Sequence, residues 1–204
     1  MGKTTGDQEQ EKHKEEMGQV KAEVAKRVSQ AKTDKGLIIV LTGEGKGKSS
    51  SGFGMILRCL GHGMKVGVVQ FIKGQWKTGE QLFFQNNPQI KYFAMGEGFT
   101  WDTQDKKGDI ERAEQCWAKA AEMIADPELD FVLIDELNVV LSFDYLSIQS
   151  VISALKAKPK STHVVITGRG ASEELVAIAD TVSEVSSPKH AFDSGIRAQK
   201  GIEF

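Results

Sequence analysis

The pattern of apolar and polar positions divides the chain into two materials. Up to residue 35 the stretch DQEQEKHKEEMGQVKAEVAKRVSQAK is densely charged, and its few apolar residues, Met17, Val20, Val24, Val28 and Ala31, recur every three or four positions. That spacing predicts a helix carrying a thin apolar stripe. Two readings of this segment stand: a solvated helix, or an arm that docks on another surface such as a second subunit. From Gly36 onward, short apolar runs alternate with amphipathic ones. Strands are expected at Leu37–Leu41, Val66–Phe71, Ile90–Ala94, Phe131–Ile134, His163–Thr167 and Thr181–Val185. Helices are expected at Lys48–Leu60, Glu80–Asn86, Asp109–Ala125, Ile148–Lys156 and Glu173–Ala179, with Pro127 and Pro159 placed to end two of them. Runs such as LIIVL and FVLI are apolar at consecutive positions. Both faces of those strands are therefore covered, as in a mostly parallel sheet with helices on each side. The organisation read from the pattern is a helical arm over 1–35 and an α/β domain over 36–204.

Composition narrows this picture. Hydrophobic residues make up 40% of the 204, enough for a substantial core, and the 21 glycines against 4 prolines suit many tight strand-to-helix turns. The net charge of −2 supplies no general basic footprint for nucleic acid. Cys59 and Cys116 have no metal-ligand or redox spacing and read as buried free thiols. The longest purely aliphatic run, Leu37–Leu41, is far short of the roughly 20 residues a membrane-spanning helix needs. The N-terminus has no apolar signal core. These features lead to the expectation of a cytoplasmic protein without membrane association.

The chemistry concentrates after the first strand. In TGEGKGKSS, glycines at 43, 45 and 47 let successive backbone N–H groups turn toward one point, and a helix begins there. Lys48 offers a point charge to phosphate oxygens and Ser49 a hydroxyl to a divalent cation. Thr42 occupies the position where G-x-x-x-x-G-K-[ST] has its first glycine. The run FVLIDELN ends in Asp135 and Glu136. A carboxylate at the C-terminal end of a strand beside a phosphate loop can bind magnesium, while an acidic pair can also simply open a helix. In ITGRGASEEL, Arg169 either reaches a phosphate or decorates a turn, and Ser172 is placed to cap the next helix. No N-K-x-D guanine signature occurs, which favours ATP. The segment GEGFTWDTQDKKG carries Phe99 and Trp101, either as a core plug or as a platform for a flat ligand.

Taken together, TGEGKGKSSSGFG, GHGMKVGVVQFIKG, GEGFTWDTQD, LDFVLIDELN, VVITGRGA, IADTVSEV and KHAFDSGIRAQKGIEF resemble the P-loop ATP:corrinoid adenosyltransferases of the CobA type over essentially the whole chain. The resemblance implies a RecA-like P-loop fold and transfer of the adenosyl group of ATP to Co(I), with triphosphate leaving. It implies that Gly43, Glu44, Gly45, Lys46, Gly47, Lys48, Ser49 and Ser50 cradle ATP, with Lys48 and Glu136 catalytic. Ser49 and Glu136 would hold Mg2+ or Mn2+, with Asp135 as a further partner of the metal, and Arg58 would lie near the ribose. Phe99 and Trp101 would press on the corrinoid and help remove its lower ligand, which eases reduction of Co(II). A homodimer in which the arm covers the partner's site is implied, as is an electron donor such as a flavoprotein. An ATPase or phosphotransferase on the same RecA-like fold is the competing reading.

Overall fold

The structure, a computed structural model, describes residues 5–72, 78–95 and 106–204. The chain separates into two units, Met1–Asp34 and Lys35–Phe204. The first holds helix α1 (Thr5–Gln30), whose apolar stripe of Met17, Val20, Val24 and Val28 is exposed rather than packed into a core.

The second unit is an α/β domain. Its strands are β1 (Ile38–Thr42), β2 (Val66–Gln70), β3 (Ile90–Ala94), β4 (Phe131–Asp135), β5 (His163–Thr167) and β6 (Thr181–Glu184). They form one sheet in the order β3-β2-β4-β5-β1-β6, and every pairing is parallel. The helices are α2 (Lys48–Gly61), α3 (Gly79–Phe84), α4 (Lys106–Ala125), α5 (Leu137–Ser142), α6 (Ile148–Ala157) and α7 (Glu173–Ile178), followed by a 3-10 turn at Ala191–Ser194.

The sheet separates two cores with the period of two that strands impose. Val132 and Ile134 of β4 join Val164 and Ile166 of β5 in a cluster closed by Cys116 and Ala120 of α4, Leu155 of α6 and Leu175 of α7. Their neighbours Phe131, Leu133 and Val165 point the other way, into a cluster with Phe53 and Ile56 of α2 and Phe84 of α3. This two-sided burial is why FVLI shows no alternation.

All six expected strands and five expected helices are present; β3 and β5 have the expected bounds, and the other ends shift by at most three residues. Ser172 caps α7, accepting a hydrogen bond from the Leu175 N–H at 3.3 Å. α4 stops at Ala125, before Pro127, and α6 at Ala157, before Pro159. Two elements escaped the pattern, α5 and the 3-10 turn. α5 is only six residues long and β-branched at Val139–Val140, and it is started by a residue in the left-handed region, Glu136 at φ 64°. Of the cysteines, Cys116 is buried as expected, whereas Cys59 is only half-buried.

Parallel alignment brings the C-terminal ends of the strands to one edge. β5 lies between β1 and β4. The loop after β1, the carboxylate pair after β4 and the Gly168–Arg169 turn after β5 therefore meet there, as expected of ligand sites in open parallel sheets.

Candidate active site

The loop Gly43–Gly47 leaves β1 and opens α2. Gly47 stands at φ 121° and caps the helix without any side-chain bond, so the first N–H groups of α2 are free of side-chain caps. Gly45 is pinned where a side chain cannot go: its N–H donates to Val185 O at 2.7 Å, and a Cβ would lie 2.1 Å from Ser186 O. Thr42 also has a structural role. Its Oγ1 accepts from the Ala171 N–H at 3.2 Å, tying the base of the loop to the turn that follows β5. A glycine there would lose this bond.

Lys48 is buried, and its Nζ donates to Gly43 O and Gly45 O, both at 2.7 Å. The ammonium thus sits inside the curl of its own loop. Burial pushes it below its ordinary value, with the charge of Glu136 pulling the other way. Glu136 is held differently. Burial, reinforced by the charge of Asp135, raises its carboxyl to about 7 against the attraction of Lys48 and Arg169.

These groups share a cavity of about 640 Å³ whose lining includes the loop from Glu44 to Ser50, then Asp135, Glu136 and Arg169. Lys46 bonds Glu203 at 2.5 Å, and Arg169 bonds Glu44 at 2.9 Å. Arg58 stands apart, exposed in the last turn of α2 and outside the lining. Phe99 and Trp101 lie outside the described residues. Sequence reasoning passed over Gln70, Thr78, His190 and Phe192, which also line the cavity. Gln70 had a signal available, a polar residue ending an apolar strand run at the site edge. The C-terminal residues had no local pattern that marks a site, because their contacts depend on long-range folding; their one signal was that KHAFDSGIRAQKGIEF is among the stretches that carry the family resemblance.

The donor set suits a small hard cation. The Ser49, Asp135 and Glu136 side chains belong to one cavity lining. Among the described residues no group of three or more His, Cys, Asp or Glu side chains could hold a metal unaided. Hydroxyl and carboxylate oxygens such as those of Ser49, Asp135 and Glu136 are the donors that a hard cation such as Mg2+ takes.

Comparison with known proteins decides what this site belongs to. The family model described as ATP:corrinoid adenosyltransferase BtuR/CobO/CobP matches residues 34–204. The chain belongs to this family. It is similar to the corrinoid adenosyltransferase of Pseudomonas aeruginosa, with 52% identity over 195 residues covering 95% of the chain and 96% of that protein. The corrinoid adenosyltransferase of Escherichia coli (strain K12) is 45% identical over 194 residues, covering 95% of the chain and 98% of that protein. Corrinoid adenosyltransferase CobA of Salmonella typhimurium matches at the same 45% over 194 residues. Among solved structures, the flagellar accessory protein FlaH from Methanocaldococcus jannaschii superposes with a TM-score of 0.50 at 13% identity, covering 74% of this chain and 71% of that one. This likeness concerns the fold alone, and it accords with the RecA-like P-loop architecture expected for the family.

Proposed function

We propose that this member of the corrinoid adenosyltransferase family moves the 5′-deoxyadenosyl group of ATP onto the Co(I) of a corrinoid, in adenosylcobalamin biosynthesis or salvage. The cobalt lone pair forms the Co–C5′ bond. The C5′–O bond breaks, and its electrons leave with intact triphosphate. The reading is carried by one observation: a phosphate loop with a buried lysine and a pair of carboxylates line the same cavity. A strong nucleophile needs little proton transfer from the protein. It needs alignment and neutralisation of charge on the leaving group.

In this reading the loop Gly43 to Ser50, through its N–H groups other than that of Gly45, which donates to Val185 O, and the Lys48 ammonium hold the triphosphate. Ser49, Glu136 and Asp135 would hold Mg2+ or Mn2+, which when bound neutralises phosphate charge. By the family resemblance, Phe99 and Trp101 would press on the corrinoid. A homodimer built through α1, an electron donor such as a flavoprotein and a cytoplasmic setting belong to the same proposal. In support of the last, no helix among the described residues is long and apolar enough to cross a membrane.

The test is the fate of the phosphates. With ATP, magnesium and chemically reduced cobalamin, a light-sensitive adenosylated corrinoid and stoichiometric triphosphate are expected. ADP with phosphate and no adenosylated corrinoid would instead mark an ATPase or phosphotransferase.

A further inference from the structure

Along the edge where the strands end, four side chains from four adjacent strands form one hydrogen-bonded row. The Tyr92 hydroxyl (β3) donates to Gln70 Oε1 (β2). Gln70 Nε2 donates to Asp135 Oδ2 (β4) at 3.0 Å. On the other side, Thr167 Oγ1 (β5) donates to Asp135 Oδ1 at 2.7 Å. The same Thr167 oxygen accepts the Glu136 N–H at 2.9 Å. Gln70 and Asp135 are each only 4% exposed and Thr167 is fully buried.

The row does two things at once. Each oxygen of Asp135 is fixed by a neutral donor, so the carboxylate is oriented without a cation consuming its charge. The Tyr92 bond in turn orients the Gln70 amide, since it claims the carbonyl side and leaves the NH2 for Asp135. One hydroxyl also anchors the backbone of Glu136, which sits in the left-handed region that side chains rarely adopt. Asn138 Nδ2, donating to Gly168 O at 3.0 Å, ties the start of α5 to the same side, and Thr167 is the partner that holds the Glu136 N–H itself.

We propose that Thr167 and Gln70 are positioning residues for the adenosyl transfer: they hold Asp135 and the Glu136 turn so that both carboxylates face the cation and phosphates of bound ATP. The proposal rests on the functional reading above. Thr167→Val keeps the volume of the side chain and removes both hydrogen bonds. Thr167→Ser restores the hydroxyl. Gln70→Met removes the other support of Asp135.

The measurement is the affinity of the full-length protein for Mn2+ in the presence of ATP, read by electron paramagnetic resonance, alongside turnover of reduced cobalamin and thermal melting. Thr167→Val is expected to weaken Mn2+ binding about tenfold and lower kcat/KM for ATP by a similar factor, with Thr167→Ser within about threefold of wild type. Gln70→Met is expected to shift both in the same direction, and it stands in if Thr167→Val fails to fold. The proposal is overturned if Thr167→Val leaves Mn2+ affinity and turnover unchanged, or if Thr167→Ser is as impaired as Thr167→Val. If the wild-type protein forms no adenosylated corrinoid, the functional reading fails. The Mn2+ measurements then still decide whether the row positions the carboxylates.

Discussion

Lys48 and Glu136 face the same cavity with opposite perturbations, and each yields a distinct expectation. Lys48 bonds two carbonyls of its own loop, so its ammonium is oriented before any ligand arrives. Lys48→Ala is expected to lower turnover by roughly two to three orders of magnitude, the scale for losing one oriented charge from a leaving-group site. Turnover near wild type in the cobalamin assay would remove the phosphate role of the loop. Glu136 speaks to pH. Its carboxyl is raised from 4.5 to about 7 in the folded protein. Its contribution to folding is therefore fully present below pH 4.5 and is lost as pH rises through 7. Glu136→Gln stays neutral throughout. In ligand-free protein the melting temperature of Glu136→Gln relative to wild type is expected to climb between pH 4.5 and 7, then level off. The gain above pH 7 is on the order of 3 kcal/mol. A difference that stays flat across that range would mean the carboxyl is not perturbed by burial.

The turn from β1 into α2 separates the glycines that shape it from those that merely occur in it. Gly45 meets Ser186 O at 2.1 Å from an ideal Cβ, whereas Gly54, within α2 and exposed, meets nothing within 4 Å. Gly45→Ala is expected to cost about 2 kcal/mol or more by forcing the loop from the segment after β6. Gly54→Ala is expected to add about 0.5–1 kcal/mol by removing helix-interior flexibility. Chemical denaturation of the two variants checks both signs. The same turn shows what could be read in advance. The phosphate loop, the strand before it and the strand ending in Asp135 were legible because each is specified locally, by glycine spacing, by consecutive apolar residues and by a carboxylate at the end of a run. Glu136 opening a short helix through a positive φ was not, because the Thr167 bond that supports that turn comes from a residue 31 positions away. The contribution of residues 190–204 to the cavity was hidden for the same reason. Lys46 and Glu203 meet across 157 positions, and no local pattern encodes that.

At the scale of the whole chain, the two units differ in how they are stabilised. The α/β unit buries its apolar residues on both faces of the sheet, while α1 leaves Met17, Val20, Val24 and Val28 exposed. Deleting residues 1–34 is thus expected to leave the cooperative melting of the α/β unit within a few degrees of the full chain, because no core residue is removed. Under the proposed dimer it also abolishes self-association, which sedimentation velocity reads directly. A truncated chain that associates as before would remove the arm from that role.

The row of polar strand ends carries a consequence for how such a sequence can drift. Positions 70, 92, 135 and 167 are far apart along the chain and adjacent in the sheet. A change at one leaves a buried donor or acceptor stranded at the next. Accepted changes at these positions must then come in matched combinations, whereas Val69, Ile134 and Ile166, the apolar residues just before 70, 135 and 167, can exchange valine for isoleucine independently. An alignment deep enough to resolve pairs would show positions 70, 135 and 167 varying together, if they vary at all.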